Sequence, residues 1–562
     1  MSVSALYRYE DFPPVNTDVI IIGGGATGAG IARDCALRGI NCILIERRDI
    51  ATGATGRNHG LLHSGARYAV NDKESAEECI QENMILKRIA RHCVEDTKGL
   101  FITLPEDDLN YQKTFIDSCQ AAGIEAVAIE PDLAKYIEPS VNPDLVGAVV
   151  VPDGSIDPFR LTAANMIDAR EHGAKIFTYC EVKELIQEGG RIIGTKVYDI
   201  KNKIYRSFFA PIVINAGGIW GQGIAEYAGL KIKMFPAKGA LLVMGHRINN
   251  LVINRCRKPA DADILVPGDT ICVIGTTSDR IPYDQIDNMI VTPEEVDILF
   301  REGEKLAPSL RHTRVLRAYA GVRPLVASND DPSGRNVSRG IVLLDHAERD
   351  GLDGFITITG GKLMTYRLMA EWATDLVCKK LNKEAKCITA EQALPGSDIE
   401  MDKKAKDAII SLPKPIQISA IYRHGQRAAR LLKKERLDSS LVCECEAVTV
   451  GEVRYAVNEL KVNNLVDLRR RTRVGMGTCQ AELCACRAAG LMSRFKVATP
   501  RQSIIQLSSF MEERWRGIEP IAWGDAVREA EFSSWIYYSL LGLNTVQPLT
   551  EQVQKGTDSN EF

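Results

Sequence analysis

Asp18-Val-Ile-Ile-Ile22 runs straight into Gly23-Gly24-Gly25-Ala26-Thr27-Gly28-Ala29-Gly30. A helical stretch from Ile31 to Leu37 follows, closed by Gly39, and a second apolar run from Cys42 to Ile45 ends at Glu46. The order is strand, G-x-G-x-x-G, helix, strand, acid, the dinucleotide-binding arrangement of a doubly wound α/β fold. Gly23 permits the tight turn, Gly25 lets a pyrophosphate approach the backbone, and Gly28 lets helix and strand pack closely. The N–H groups at the helix start, around Ala26 and Thr27, face the anion. Glu46 lies 21 residues after Gly25 (46 − 25), where an acceptor for a ribose hydroxyl belongs. The motif alone does not separate FAD from NAD.

Working outward, 562 residues allow roughly two to four domains. Lys and Arg number 70 against 73 Asp and Glu, a net charge of −3, which excludes the basic footprint of a generic nucleic-acid binder. With 45% hydrophobic and 25% charged residues, the chain is not disordered. Met1–Val15 lacks a basic region followed by an apolar core, so no signal peptide is predicted. No run of about 18 apolar residues predicts a membrane span. The expectation is a soluble cytosolic chain with reduced cysteines.

The 15 cysteines are unevenly placed. Ten lie between Cys35 and Cys387, several among apolar neighbours, as Cys42 and Cys272 do, and read as small buried hydrophobes. Five crowd between Cys443 and Cys486, which suggests a separate module. Polar, Pro- and Gly-punctuated sequence from Leu394-Pro395-Gly396 to Leu412-Pro-Lys-Pro415 marks the boundary. The expected division is a leader over 1–17, an α/β domain over 18–395 and a connecting region over 396–437. A cysteine module over 438–500, a helical segment over 501–546 and a loose tail over 547–562 complete it. Within the first domain Thr292-Pro293-Glu294-Glu295 reads as a capped helix start.

Three further segments resemble the FAD-dependent oxidoreductases of the D-amino-acid-oxidase and glycerol-3-phosphate-dehydrogenase group. The first is Ala51-Thr52-Gly-Ala-Thr55-Gly-Arg57-Asn58-His59-Gly-Leu-Leu-His63-Ser-Gly65-Ala-Arg67-Tyr68, the second Ile212-Val-Ile-Asn215-Ala216-Gly217-Gly218-Ile-Trp220. The third, Thr359-Gly360-Gly361-Lys362-Leu363-Met-Thr365-Tyr366-Arg367, opens a helix with an apolar face at Leu363, Tyr366, Ala370, Ala373 and Val377. The resemblance implies an FAD-binding Rossmann-like domain with an interleaved substrate domain, and FAD contacts at Thr52, Thr55, Asn58, Ala216, Gly217, Gly360, Gly361 and Leu363. It narrows to glycerol-3-phosphate dehydrogenases through His63-x-Gly65-x-Arg67-Tyr68, Gly321-Val-Arg323-Pro324-Leu325 and Gly360-Gly361-Lys362. With the cysteine-rich tail, the whole chain resembles the anaerobic branch of that family.

The resemblance nominates Arg67, Arg323 and Lys362 for a phosphate, which needs fixed cations. Each also reads as a surface charge. His63 is the candidate acceptor of the hydroxyl proton, or a residue that packs against the flavin. In aerobic relatives a histidine follows a Lys-Gly pair; the matching stretch Pro236-Ala-Lys238-Gly239-Ala240-Leu241 has none. Arg323 is the alternative group to polarise the hydroxyl.

Cys443-x-Cys445 and Cys479-x4-Cys484 supply the four thiolates of an iron–sulfur cluster, with structural zinc as the rival. The spacing and the turn Gly475-Met-Gly477-Thr-Cys479 resemble bacterioferritin-associated-ferredoxin [2Fe–2S] domains, so a small C-terminal iron–sulfur domain is expected. Cys486 is the spare. Arg469-Arg-Arg-Thr-Arg473 reads as a solvated face, or as a counter-charge to a cluster, or as a partner contact. A flavin beside a one-electron cluster suits a dehydrogenase that exports electrons. The resemblance implies oxidation of sn-glycerol 3-phosphate and B and C partner subunits. It also implies a quinone acceptor in anaerobic respiration and peripheral placement on the cytoplasmic side of the inner membrane. A small hydroxy or amino acid is the alternative substrate.

Overall fold

In the computed structural model, residues 13–326, 340–397, 403–433 and 435–545 are described. Most of the leader and all of the 547–562 tail lie outside them. Val15–Asn16, at the end of the expected leader, pairs in parallel with Ile204–Phe209 at the edge of a four-stranded sheet.

Val19–Ile22 is buried along its whole length. A continuous apolar run of that kind belongs at the centre of a parallel sheet covered on both faces. It sits third in a six-stranded sheet ordered Lys175–Thr178, Cys42–Glu46, Val19–Ile22, Ile212–Asn215, Phe355–Gly360, Ile341–Asp345. The last strand is antiparallel and the others parallel. Three helices cover one face: Ala26–Leu37, Pro158–Glu171 and Tyr366–Lys380. Small side chains let them close up; a Cβ on Gly30 would lie 2.9 Å from the Tyr366 ring and 3.1 Å from the Ala370 methyl. The predicted apolar face Tyr366, Ala370, Ala373 and Val377 is buried as expected, while Leu363 precedes the helix.

The second large sheet carries Met234–Met244 antiparallel to Val315–Val326 along nearly their full lengths. Its register fixes what faces the site. Ala237 pairs with Arg323 and Gly239 with Gly321, while Lys238 pairs with Val322. Directly opposed residues share a face and successive residues alternate, so Arg323 and the two glycines lie on one side and Lys238 on the other. The capped helix start at Thr292 is present over Pro293–Leu306, with Thr292 and Glu295 bonded reciprocally.

The 396–437 stretch carries short helices at Lys403–Ile409, Lys414–His424 and Arg427–Lys433, which share an apolar cluster of Ile409, Ile416, Ala420, Ala428 and Leu432. Beyond it, a hairpin of Leu441–Cys443 with Val448–Thr449 leads into helices Val450–Asn458, Leu465–Thr472 and Ala485–Arg494. Helix Pro500–Ile518 gives Leu507, Phe510 and Met511 to the core of that same module. The expected cysteine module and the helical segment after it therefore share one core. Among the described residues no helix is long and apolar enough to cross a membrane.

The Arg469–Arg473 run is not the solvated face read from the sequence. Arg471 grips Asp49 with side-chain exposures of 4% and 2%. Arg473 reaches Asp157, Asp269 and Glu446. The reason is positional: the helix that carries the run lies between the module core and the dehydrogenase domain, whose loops present Asp49, Asp157 and Asp269, while Glu446 comes from the module itself.

Candidate active site and cysteine centre

One cavity of about 890 Å³ runs from the glycine turn to the second sheet. Its wall includes Gly23, Gly25, Ala26, Thr27, Glu46, Thr52, Thr55, Asn58, Ala216, Gly217, Gly360, Gly361 and Leu363. Of the predicted cofactor residues Gly28 alone is not in the wall. It works from behind, since a Cβ there would overlap the Gly23 carbonyl. Gly23 has φ +118°, and a Cβ on it would lie 2.5 Å from the Ala216 oxygen.

At the helix start, Ala26 N–H donates to Thr55 Oγ1 at 3.0 Å. Glu46 accepts from Gly24 N–H at 2.7 Å and Arg48 N–H at 2.8 Å. Burial pushes its carboxyl up, against the pull of those two donors. Arg47, its neighbour, lies over the Trp220 ring at 4.5 Å and pairs with Asp287 at 2.6 Å.

His63, Arg67, Arg323 and Lys362 line the same cavity. Arg323 is gripped by the 276–278 loop: it donates to Thr276 Oγ1, to the Thr277 carbonyl at 3.2 Å and to Ser278 Oγ at 3.4 Å. Gly239 leaves it room, since a Cβ there would lie 2.8 Å from Nη2. The Lys362 ammonium stands 4.8 Å over the Tyr68 ring. Tyr68 meets the His63 ring edge-on at 5.4 Å, and His63 meets His59 at 6.0 Å. Arg67 is held by Asp263 at 3.1 Å.

Lys238 points away and pairs with Glu295 at 2.8 Å, so the stretch where relatives carry a histidine turns its one ionisable side chain from the cavity. Sequence reasoning missed Asp263, the 276–278 loop, Trp220 and Thr359. Only Trp220 and Thr359 had a signal, as members of quoted glycine segments.

Three polar atoms of cavity-lining residues are buried with no hydrogen-bond partner among the described residues: Arg67 Nη1, Trp220 Nε1 and Thr359 Oγ1. Such orphans cost about 1–3 kcal/mol each. With a backbone cradle that side chains would fill, they fit a large polar ligand such as FAD.

Residues 18–367 match the family described as FAD dependent oxidoreductase, and residues 441–494 the BFD-like [2Fe-2S] binding domain. The chain is 82% identical to the A subunit of the anaerobic glycerol-3-phosphate dehydrogenase of Haemophilus influenzae over 100% of both chains.

The chain belongs to the anaerobic glycerol-3-phosphate dehydrogenase A-subunit family.

It is also 70% identical to the corresponding protein of Escherichia coli (strain K12) over 95% of this chain and 98% of that one. Among solved structures, the glycerol-3-phosphate dehydrogenase of Bacillus halodurans, complexed with FAD, superposes with a TM-score of 0.71 at 22% identity. That match covers 90% of this chain and 96% of the other and shows the shared fold. As a member of this family the chain is an FAD-dependent oxidoreductase, with FAD and a [2Fe–2S] cluster as its cofactors.

The cysteines fit the second cofactor. Cys443 neighbours Cys484, and Cys445 neighbours Cys479. The Cys484 contact and the backbone N–H groups of Gly475 and Glu446 draw the Cys443 thiol down to about 6, whereas burial pushes Cys445 up to about 11. Gly477 must be small, since a Cβ there would lie 2.5 Å from Cys445 Cβ. Among the described residues no three His, Cys, Asp or Glu converge as one metal ion requires. The match to a BFD-like [2Fe-2S] binding domain over residues 441–494, which spans all four thiols, decides between that cluster and zinc. Cys486 is exposed, and nine of the ten earlier cysteines are buried, Cys387 being half-buried.

Proposed function

We propose that the chain is the catalytic subunit that oxidises sn-glycerol 3-phosphate to dihydroxyacetone phosphate. Its electrons leave through the [2Fe–2S] cluster, held by Cys443, Cys445, Cys479 and Cys484, to B and C partner subunits and a quinone. The chain then works at the cytoplasmic side of the inner membrane, attached through those partners. The observation that carries this reading is a single cavity with a glycine cradle at one end and Arg67, Arg323, Lys362 and His63 at the other.

The glycine segments and Glu46, Thr52, Thr55 and Asn58 hold FAD, which supplies the hydride acceptor when bound. The chain's own residues do the rest. Arg323, fixed by its loop partners, offers a planar fork to phosphate oxygens, and Lys362 adds a point charge. Arg67 is already anchored by Asp263, so its orphan Nη1 is oriented before substrate arrives. His63, packed against Tyr68, takes the C2 hydroxyl proton as the hydride leaves C2, which turns the alcohol into a ketone.

The test is anaerobic titration of the FAD-loaded chain with sn-glycerol 3-phosphate. Flavin absorbance should bleach, and Arg323→Ala should raise the KM for the phosphate ester about a hundredfold while sparing a non-phosphorylated analogue. Equal loss for both would favour a hydroxy or amino acid held by its carboxylate. No bleaching with the phosphate ester would sink the proposal.

A further inference from the structure

Between the flavin cavity and the cysteine module lies a group of arginines that the proposed chemistry does not use. Arg57 is in the cavity wall, and burial lowers its pKa, with Arg470 adding to the effect and Glu513 opposing it. Arg317, on the strand that also carries Arg323, packs against helix Pro500–Ile518: a Cβ on Gly517 would lie 3.0 Å from its Nε and Nη2. Its nearest carboxylate, Glu513, is 3.9 Å away and 43% exposed. Arg469, on the helix before the second cysteine pair, has no ion pair among the described residues. It senses the charges of Arg317, Arg470, Glu513 and Cys484. The Nε atoms of both Arg317 and Arg469 are buried without a hydrogen-bond partner.

A fold rarely takes guanidinium groups even partly out of water with so little negative charge among them, because desolvating an unpaired charge is costly. Two of the most deeply buried arginines are paired closely, Arg33 with Asp168 at 2.6 Å and Arg367 with Glu82 at 2.5 Å. The excess positive charge at Arg57, Arg317 and Arg469 therefore calls for an anionic neighbour. A [2Fe–2S] centre with four thiolates carries net negative charge, and gains one more negative charge on accepting an electron.

We infer that Arg317 and Arg469, continued to the cavity by Arg57, form a part-buried positive bridge that raises the reduction potential of the [2Fe–2S] cluster and so makes it a better acceptor of electrons from the flavin side. The inference rests on the proposed electron outlet. These are tuning residues: they touch neither substrate nor sulfur, and they act through the field at the cluster.

The test is an EPR-monitored redox titration of the full chain loaded with both cofactors. Arg469→Gln should lower the cluster's midpoint by a tenfold change in its reduction constant or more, about 59 mV for one electron. Arg469→Lys, which keeps the charge, should retain most of the wild-type value. Iron and sulfide analysis accompanies each sample. If Arg469→Gln cannot hold the cluster, Arg317→Gln, on the dehydrogenase side, is titrated instead and should move in the same direction. A wild-type midpoint in a fully loaded neutral variant overturns the bridge but leaves the proposed function intact. Absence of iron and sulfide from the wild-type chain would overturn both.

Discussion

At the glycine cradle the wall is main chain. Gly23 sits against the Ala216 carbonyl, Gly28 against the Gly23 carbonyl and Gly321 against that of Arg57, each too close for a Cβ. At the inner face of the cysteine module the contacts are long charged side chains, with Arg471 on Asp49 and Arg473 on Asp157 and Asp269. A cradle made of backbone must be written as neighbouring small residues, because only absent side chains make the room. A docking surface made of ion pairs draws its partners from anywhere in the chain, here from positions some 420 residues apart. The first can be read as a motif; the second cannot.

Four changes would break or sharpen that contrast. The largest effect belongs to the cradle. Gly28→Val has no space beside the Gly23 carbonyl, and should cost roughly a hundredfold or more in FAD affinity. Flavin content of the purified chain reads it, and wild-type content would refute the steric account. Next, Cys484→Ser should strip iron and sulfide from the module while FAD content holds. Parallel loss of both cofactors would mean that the two regions do not fold as distinct sites.

Third, Arg471→Ala leaves the buried Asp49 with only Arg470, at 3.8 Å, and should cost about 3 kcal/mol, the low end for a broken buried pair. Chemical denaturation measures this, and Asp49→Asn combined with Arg471→Ala should cost less than the sum of the two changes. Strict additivity would show that Arg471 and Asp49 do not stabilise the fold as a pair. The smallest effect is a pH dependence. Burial alone would raise the Glu452 carboxyl, but its pairing with Arg423 at 2.7 Å and with His424 overcomes this and holds it at about 2 against the ordinary 4.5. A depressed acid contributes stability that is fully present above 4.5 and lost as pH falls toward about 2. Module stability, followed by denaturation midpoint, should therefore decline in that acid window, and Glu452→Gln should flatten the decline.

How far the sequence could be read follows from the same contrast. The Val19–Ile22 strand, the glycine turn, Glu46 and the cysteine pairs are contiguous or short-range, and their physics is local. Arg323 was found through its Gly-Val-Arg segment, but the Thr276–Ser278 grip on it depends on the register of two strands that lie far apart in sequence. Lys238 shows the converse. A Lys-Gly pair in the right place turns its lysine to the opposite face because strand residues alternate. The arginine run misled for a related reason. Its residues look like a polar surface until the facing domain brings Asp49, Asp157 and Asp269 onto it.

The central claim is that one chain holds both the substrate oxidation site and its electron outlet. Anaerobic sn-glycerol 3-phosphate added to the chain loaded with FAD and cluster, followed by absorbance and EPR together, tests it most directly. The account predicts that the flavin bleaches and the reduced [2Fe–2S] signal then appears without any other protein present. Bleached flavin beside a cluster that stays oxidised, or no bleaching at all, would contradict it.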